Sequence, residues 1–415
     1  MISRTLLFVL ACVCSTCASP ETNVLFELQQ KAFDFFWLEA HPQTGLIKDR
    51  AKNHGTDKYD VCSIAATGFG LAALPVAVER GWISRKEGEE RAILILRSFT
   101  TKLRNEHGWF YHFVNWQSGE RAWNCEVSSV DTGWFLCGAL FAGKYFAGET
   151  AALADALYER VDFEWMLTDG GARPNSKTLS MGWRPESGFI KARWDSYSEH
   201  LALGILALGS PTHAVASESW KGWKRDVGEY KGHKTFACGP LFTHQYSQAF
   251  VDFRGRKDEL GFDYFESAKQ ATLANRQFCI DQSAKFKTYG SNVWGLSACD
   301  NWAGNYEAYG APPGKSPHDG TVSTWNMIAS VAFTPDLVVA VVNHMHSQYP
   351  QLWGKYGFAG AMNLDKNWFA PDVIGIDLGA ALLMIENYRS EFVWREFMKI
   401  EGIQRGVERA KLVKN

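Results

Sequence analysis

"CEVSSVDTGWFLCGALFAG", residues 125–143, opens on two acids and two serines and then runs apolar on most sides. A helix with one apolar stripe lies on a surface, whereas one that is apolar nearly all round must be covered everywhere. Five further stretches read the same way: "YDVCSIAATGFGLAALPVAV" (59–78), "WDSYSEHLALGILALG" (194–209), "FTHQYSQAFVDF" (242–253), "STWNMIASVAF" (323–333) and "DVIGIDLGAALLMIENY" (372–388). Charged, amphipathic runs such as "SRKEGEERAILILRSFTTKL" (84–103) and "YFESAKQATLANRQFCI" (264–280) alternate with them. Six buried helices, each paired with an outer one, predict an all-α fold, a six-hairpin (α/α)6 toroid with a few short strands in its loops. "GWFYHFVN" (108–115) is the best strand candidate.

If every inner helix is followed by an outer one running back, the six inner N-termini surround one mouth of the ring. At those ends stand Asp60, Glu126 with Asp131, Asp195 with Glu199, His244 with Gln245, Trp325, and Asp372 with Asp377. Each admits a plain structural reading. Ser196-x-x-Glu199 matches a capping box, and Asp195 and Glu199 would share one helix face, one turn apart. Capping, however, needs about one polar group per helix and does not need the polar ends to converge.

At 415 residues, 46% hydrophobic and 21% charged, the chain has ample material for a core. A net charge of −2 argues against a nucleic-acid partner. Residues 1–19, with Arg4 before "TLLFVLACV", read as an export signal, and "VLAC" ending at Cys12 loosely resembles a lipoprotein cleavage box. The expectation is an extracytoplasmic protein, periplasmic or secreted, with two alternatives: plain cleavage near Ala18, or a lipid on Cys12 as its one contact with membrane. Residues 20–415 are expected to form a single catalytic domain, working as a monomer. Of nine cysteines three lie in the leader, and the other six show no CxxC pair and no disulfide framework.

Seventeen tryptophans are many, and several lie in polar, glycine-containing stretches. Acids at one mouth, tryptophan-rich loops and an exported chain point to carbohydrate, because sugar rings stack on aromatic faces. Glycoside cleavage needs one protonated and one ionised carboxyl. Stacking candidates are Trp109, Trp116 and Trp123 in "GWFYHFVNWQSGERAW" (108–123), Trp183 in "MGWRPESGF" (181–189), and Trp302, Tyr306 and Tyr309 beside Asp300. Core packing is the alternative for each. "GLSAC" (295–299) falls one residue short of a nucleophile elbow. "HMH" (344–346) lacks a third ligand and His244 stands alone, so no metal is expected. "GFG" (68–70) lies inside a helix and cradles no phosphate, and no cofactor is expected.

"FDFFWLEAHPQTGLIKDRA" (33–51), "EVSSVDTGWFLCGAL" (126–140), "YSEHLALGILALGSPT" (197–212), "GPLFTHQYSQAFVDFRG" (239–255) and "WGLSACDNWAGNYEAYGAPP" (294–313) resemble the glucoamylase-like family of bacterial proteins. They are most similar to glycoside hydrolase family 144, the β-1,2-glucanases. The resemblance spans about residues 24–400 and implies inverting endo-hydrolysis of β-1,2-glucan. It implies Glu199 as general acid, Asp377 on the base side, and Asp131 and Asp195 as acids lining the cleft. Glu126, Asp60, His244, Gln245, Asp300 and the named aromatic residues are the substrate-binding candidates. Asn301 and Trp302 follow Asp300 where the family often has Gly-Pro. An exo-acting enzyme releasing sophorose from β-1,2-glucooligosaccharides is the alternative, and a non-catalytic glycan-binding protein the more distant one.

Overall fold

The computed structural model describes residues 23–414; the expected leader lies outside the described residues. Its helices are α1 (Asn23–Leu38), α2 (Ile64–Glu79), α3 (Arg85–Thr101), α4 (Ser129–Phe146), α5 (Gly148–Glu159), α6 (Phe163–Thr168), α7 (Leu201–Gly209) and α8 (Glu218–Lys221). They continue with α9 (Phe242–Phe250), α10 (Tyr264–Asp281), α11 (Thr324–Ile328), α12 (Pro335–Gln348), α13 (Gly375–Ser390), α14 (Phe392–Phe397) and α15 (Glu401–Arg409). Helix makes up 45% and strand 16%, so the fold is mostly helical, with more strand in its loops than expected.

Each of the six apolar stretches contains a helix: α2, α4, α7, α9, α11 and α13. Every residue of α2 from Ile64 to Ala77 is buried, as an all-round apolar helix requires. α2 packs on α4, α4 on α7, α7 on α9, α9 and α11 on α13, and α13 back on α2. α3, α5, α10 and α12 lie outside them, and α1 covers α13 and α2. One outer helix is missing. After α7 the chain makes only the four-residue α8 and a hairpin, Val227–Tyr230 with His233–Phe236, which lies on α10. The last helix, α15, packs on α7 instead.

Strands Val61–Ser63, Val127–Ser128, Val322–Ser323 and Asp372–Ile374 lead directly into α2, α4, α11 and α13. At three junctions a serine caps the helix: Ser63, Ser128 and Ser323 accept from the amides of Ala66, Asp131 and Asn326 at 3.2, 3.3 and 3.4 Å. The expected strand over 108–115 is split. Trp109–Phe110 pairs with Asn105–Glu106, whereas Phe113–Asn115 pairs with Val61–Ser63. His112, between them, is thereby set beside the start of α4, its amide donating to the Glu126 carbonyl at 3.0 Å. One hydrophobic cluster runs from α1 to α15, and the six cysteines among the described residues are all free.

Glycines let the helices approach closely. A Cβ on Gly138 of α4 would sit 1.8 Å from the Gly68 carbonyl oxygen of α2, and one on Gly209 of α7 1.8 Å from that of Gly402 in α15. Backbone, not a flexible side chain, is the obstacle. Gly138→Ala is therefore expected to cost ~3 kcal/mol, the upper end for overpacking. Thermal denaturation checks it, and an unchanged melting temperature would show that the two helices separate freely.

Candidate active site

The N-terminal ends of five of these helices meet at one cavity of about 630 Å³. Its wall includes Ser63 at the head of α2, Asp131 and Trp134 of α4, Glu199 just before α7, Phe242 and Tyr246 of α9, and Ile376 of α13. The sixth, α11, contributes from behind through Asn326.

Glu199 does not lie in a helix. α7 begins at Leu201 with His200 as its N-cap and no side-chain capping bond, so the expected capping box is not formed. Asp195 and Glu199 accordingly share no helix face, and Asp195 is exposed to solvent. The Glu199 turn is tied to α9 instead: the Ser247 hydroxyl donates to the Glu199 carbonyl and accepts from the Ala202 amide at 2.9 Å. The carboxyl lies deep in the protein but opens to the cavity. Burial raises its pKa and the nearby Asp131 raises it further, against the Ser198 hydroxyl and a backbone amide, which lower it.

Asp377, in the first turn of α13, is buried behind the wall. Its Oδ1 accepts from the Tyr246 hydroxyl at 2.5 Å and the Asn326 amide at 2.9 Å. Burial pushes its pKa up to about 6; these two bonds oppose the rise, and Asp300 and Asp49 add to it. Opposite in character is Glu126, which bonds His112 Nδ1 and Arg184 at 3.0 Å each and is pulled down to about 2, chiefly by His112. Asp131 faces the other ring nitrogen of His112 at 3.4 Å. Burial disfavours a charged His112, yet Asp131 and Glu126 together raise its pKa. Arg50, on the cavity wall, bridges Asp49 at 3.0 Å and Asp300 at 2.8 Å.

Other expected residues fall elsewhere. Tyr309 is buried and donates to Asp319 at 2.8 Å, and Gln245 is buried, donating to the Asn326 carbonyl and Ser330. Both serve the core, as does Trp325, whose indole donates to the Phe358 carbonyl. His244 is buried between the Tyr197 hydroxyl and the Cys238 carbonyl, and burial pushes its pKa down to about 4. Asp60 is exposed and accepts from Asn115. Trp116 packs edge-on to His41, and Trp183 packs against Trp165. Trp302 is exposed, but the Lys366 ammonium stands 4.5 Å from its ring centre. None of these lines the cavity; Tyr306 does. Asp300 reaches it through Arg50.

Sequence reasoning missed Asp49, Arg50, His112, Tyr246 and Asn326. Tyr246 and Asn326 each lie in an apolar stretch already identified, and their signal was a polar group one helical turn from the head.

A model of the family described as "Putative glucoamylase" matches residues 191–401, more than half of the chain, and the protein belongs to that family. Over 96% of its length it is 27% identical to the exo β-1,2-glucooligosaccharide sophorohydrolase (non-reducing end) of Parabacteroides distasonis, and spans 59% of that relative. A crystal structure from Bacteroides uniformis, described in the family's own words, is 29% identical with a TM-score of 0.87, covering 96% of this chain and 99% of the other. The endo-β-1,2-glucanase of Chitinophaga pinensis, solved with sophorotriose and glucose, is 28% identical with a TM-score of 0.84, covering 95% and 99%.

His112 and Glu126 make a pH-dependent prediction. The charge on His112 stabilises fully below the free-histidine pKa of 6.5 and is lost as pH rises through the raised folded value. Glu126 stabilises above its ordinary 4.5 and loses that contribution as pH falls toward about 2. Glu126→Gln should therefore lower the melting temperature most between roughly pH 5 and 6.5. Melts across the pH range test this, and an equal loss near pH 2 would refute the charged pair.

Proposed function

We propose that this protein is an inverting β-1,2-glucan hydrolase, with Glu199 as proton donor and Asp377 on the base side. The observation that carries the reading is Glu199: a deeply placed carboxyl, biased toward its protonated form, open to a cavity of a size that takes ligands. The relatives from C. pinensis and P. distasonis, both named for β-1,2-linked glucans, supply the substrate class. The six inner helices, each packed on the next except that α9 and α11 both lie on α13, support a six-hairpin (α/α)6 toroid as the scaffold.

In this reaction Glu199 gives its proton to the glycosidic oxygen as the bond to the anomeric carbon breaks. Water attacks that carbon from the opposite face and loses its proton toward Asp377. Inversion places the two carboxyls roughly 6.5–9.5 Å apart, room enough for the water. Asp377 suits the base because the Tyr246 hydroxyl and the Asn326 amide both favour its ionised form. Its wall residue is Tyr246, so the base side is a pair, ring on the cavity and carboxylate behind.

Endo action is the first reading, because the C. pinensis enzyme is matched along 99% of its chain. Exo release of sophorose is the second, resting on the P. distasonis relative. The same proposal puts the enzyme outside the cytoplasm as a monomer, supported for export by Arg4 and the apolar stretch behind it. Product lengths over time on linear β-1,2-glucan separate endo from exo.

Glu199→Gln should lower kcat on the order of a hundredfold or more, as loss of a general acid does, with little change in melting temperature. The first product seen by NMR should be the α-anomer; an initial β-anomer would overturn inversion. The acidic limb of kcat/KM should lie near the Asp377 value of about 6, with activity rising above it. Tyr246→Phe removes a bond that lowers that pKa, so the limb should move to higher pH. An unmoved limb would take Asp377 out of the base side.

A further inference from the structure

Trp123 is 62% exposed, and it lines the cavity. A lone exposed apolar side chain is ordinary on an open surface; this one stands on a cavity wall, where a ligand would cover it. Its backbone is unusual: Trp123 and Asn124 have φ of 53° and 49°, two successive non-glycine residues in the left-handed region. Bulky side chains rarely adopt that conformation, and it persists only where surrounding contacts impose it.

The turn is closed by the Cys125 amide, which donates to the Ala122 carbonyl at 3.1 Å, and it is fastened by Arg121. Its guanidinium donates to the Asn124 carbonyl at 2.7 Å and to the Cys125 carbonyl at 2.6 Å, and holds both oxygens of Glu186 at 2.6 and 3.1 Å. This fork spans the carbonyls of the second left-handed residue and of the residue after it, and fastens them to the 181–189 loop. Phe113, at 5.0 Å, and Tyr59, at 6.4 Å, meet the ring only at steep angles. Among the described residues no cation stands over it, in contrast to Trp302 with Lys366. The indole, on the cavity wall and largely uncovered, offers a face to a flat ligand with an apolar side. A pyranose ring has that character: its C–H face stacks on an aromatic surface and leaves its rim hydroxyls for polar groups, of which Asp131 and Arg50 line the same cavity.

We infer that Trp123 is a stacking platform for one sugar ring of the substrate, held over the cavity by the Arg121–Glu186 fork. The inference rests on the β-1,2-glucan reading and adds to it a specificity-determining residue and a positioning residue. Trp123→Ala, Trp123→Phe and Arg121→Ala are compared with the parent enzyme on long and short β-1,2-glucooligosaccharides. Trp123→Ala should raise KM about tenfold, the factor that ~1.4 kcal/mol of lost stacking would produce. Phe should fall between, kcat should change far less, and the melting temperatures of both Trp123 variants should stay near the parent's. Arg121→Ala should raise KM in the same direction although the ring remains.

Parental KM and product lengths in Trp123→Ala, in an active enzyme, would overturn the platform. A fall in melting temperature with KM unchanged would do the same by making the ring structural. Arg121→Ala with parental KM would overturn the fork. Failure of the underlying reading looks different, since the parent enzyme itself would then leave β-1,2-glucan uncut.

Discussion

The backbone contact between α2 and α4 is the constraint on which the rest depends. Gly68 and Gly138 bring the two helices so close that neither tolerates a Cβ. Helices this near must be sheathed in apolar side chains, and their charged groups are driven to the ends. At the N-terminal ends those groups meet. The same principle recurs at Gly209 and Gly402, where α15 takes the place of the missing outer helix against α7. The cavity is thus a consequence of packing: it is where close-set helices stop and polar residues begin.

Packing alone would leave a set of acids with similar properties, and the structure makes them different. Glu126 has a histidine and an arginine as partners and is pulled down to about 2. Asp377 has only neutral partners and deep burial, and rises to about 6. Glu199 has a serine, its own backbone and an acidic neighbour, and rises too. Glu199 precedes the helix cap and makes no capping bond, and burial with Asp131 beside it outweighs the hydroxyl and amide that favour its ionised form. A capping glutamate makes a poor proton donor, and this one does not cap.

Much of this was legible in the sequence, and what was not has physical causes. Six runs with no polar stripe disclosed the buried helices, because burial on all sides leaves that mark whatever the packing partner. Convergence of the polar ends followed from their order along the chain. The failures concern what sequence does not encode locally. Ser196-x-x-Glu199 has the residues of a capping box, but a serine 48 positions after Glu199 binds its carbonyl and the helix starts later. Arg50 pairs with Asp300 across 250 residues, and Tyr246 with Asp377 across 131. No spacing rule reaches so far. Tyr309 and Gln245 were misplaced for a related reason: a polar side chain in a helix or loop looks alike whether it serves a ligand or a buried carbonyl.

The aromatic residues show the same limit and also how it is overcome. Trp109, Trp116 and Trp123 share one loop and read alike in sequence. In the structure Trp109 is fully buried with its indole on the Asp162 carbonyl, and Trp116 is fastened to Glu39. Each has found a partner for its N–H, which is what a tryptophan built into a core does. Trp123 lies instead on a left-handed turn that an arginine fastens, on the cavity wall and with most of its surface exposed. The Cys125 amide on the Ala122 carbonyl and the Arg121 fork hold that turn, and with it the place of the indole on the cavity wall.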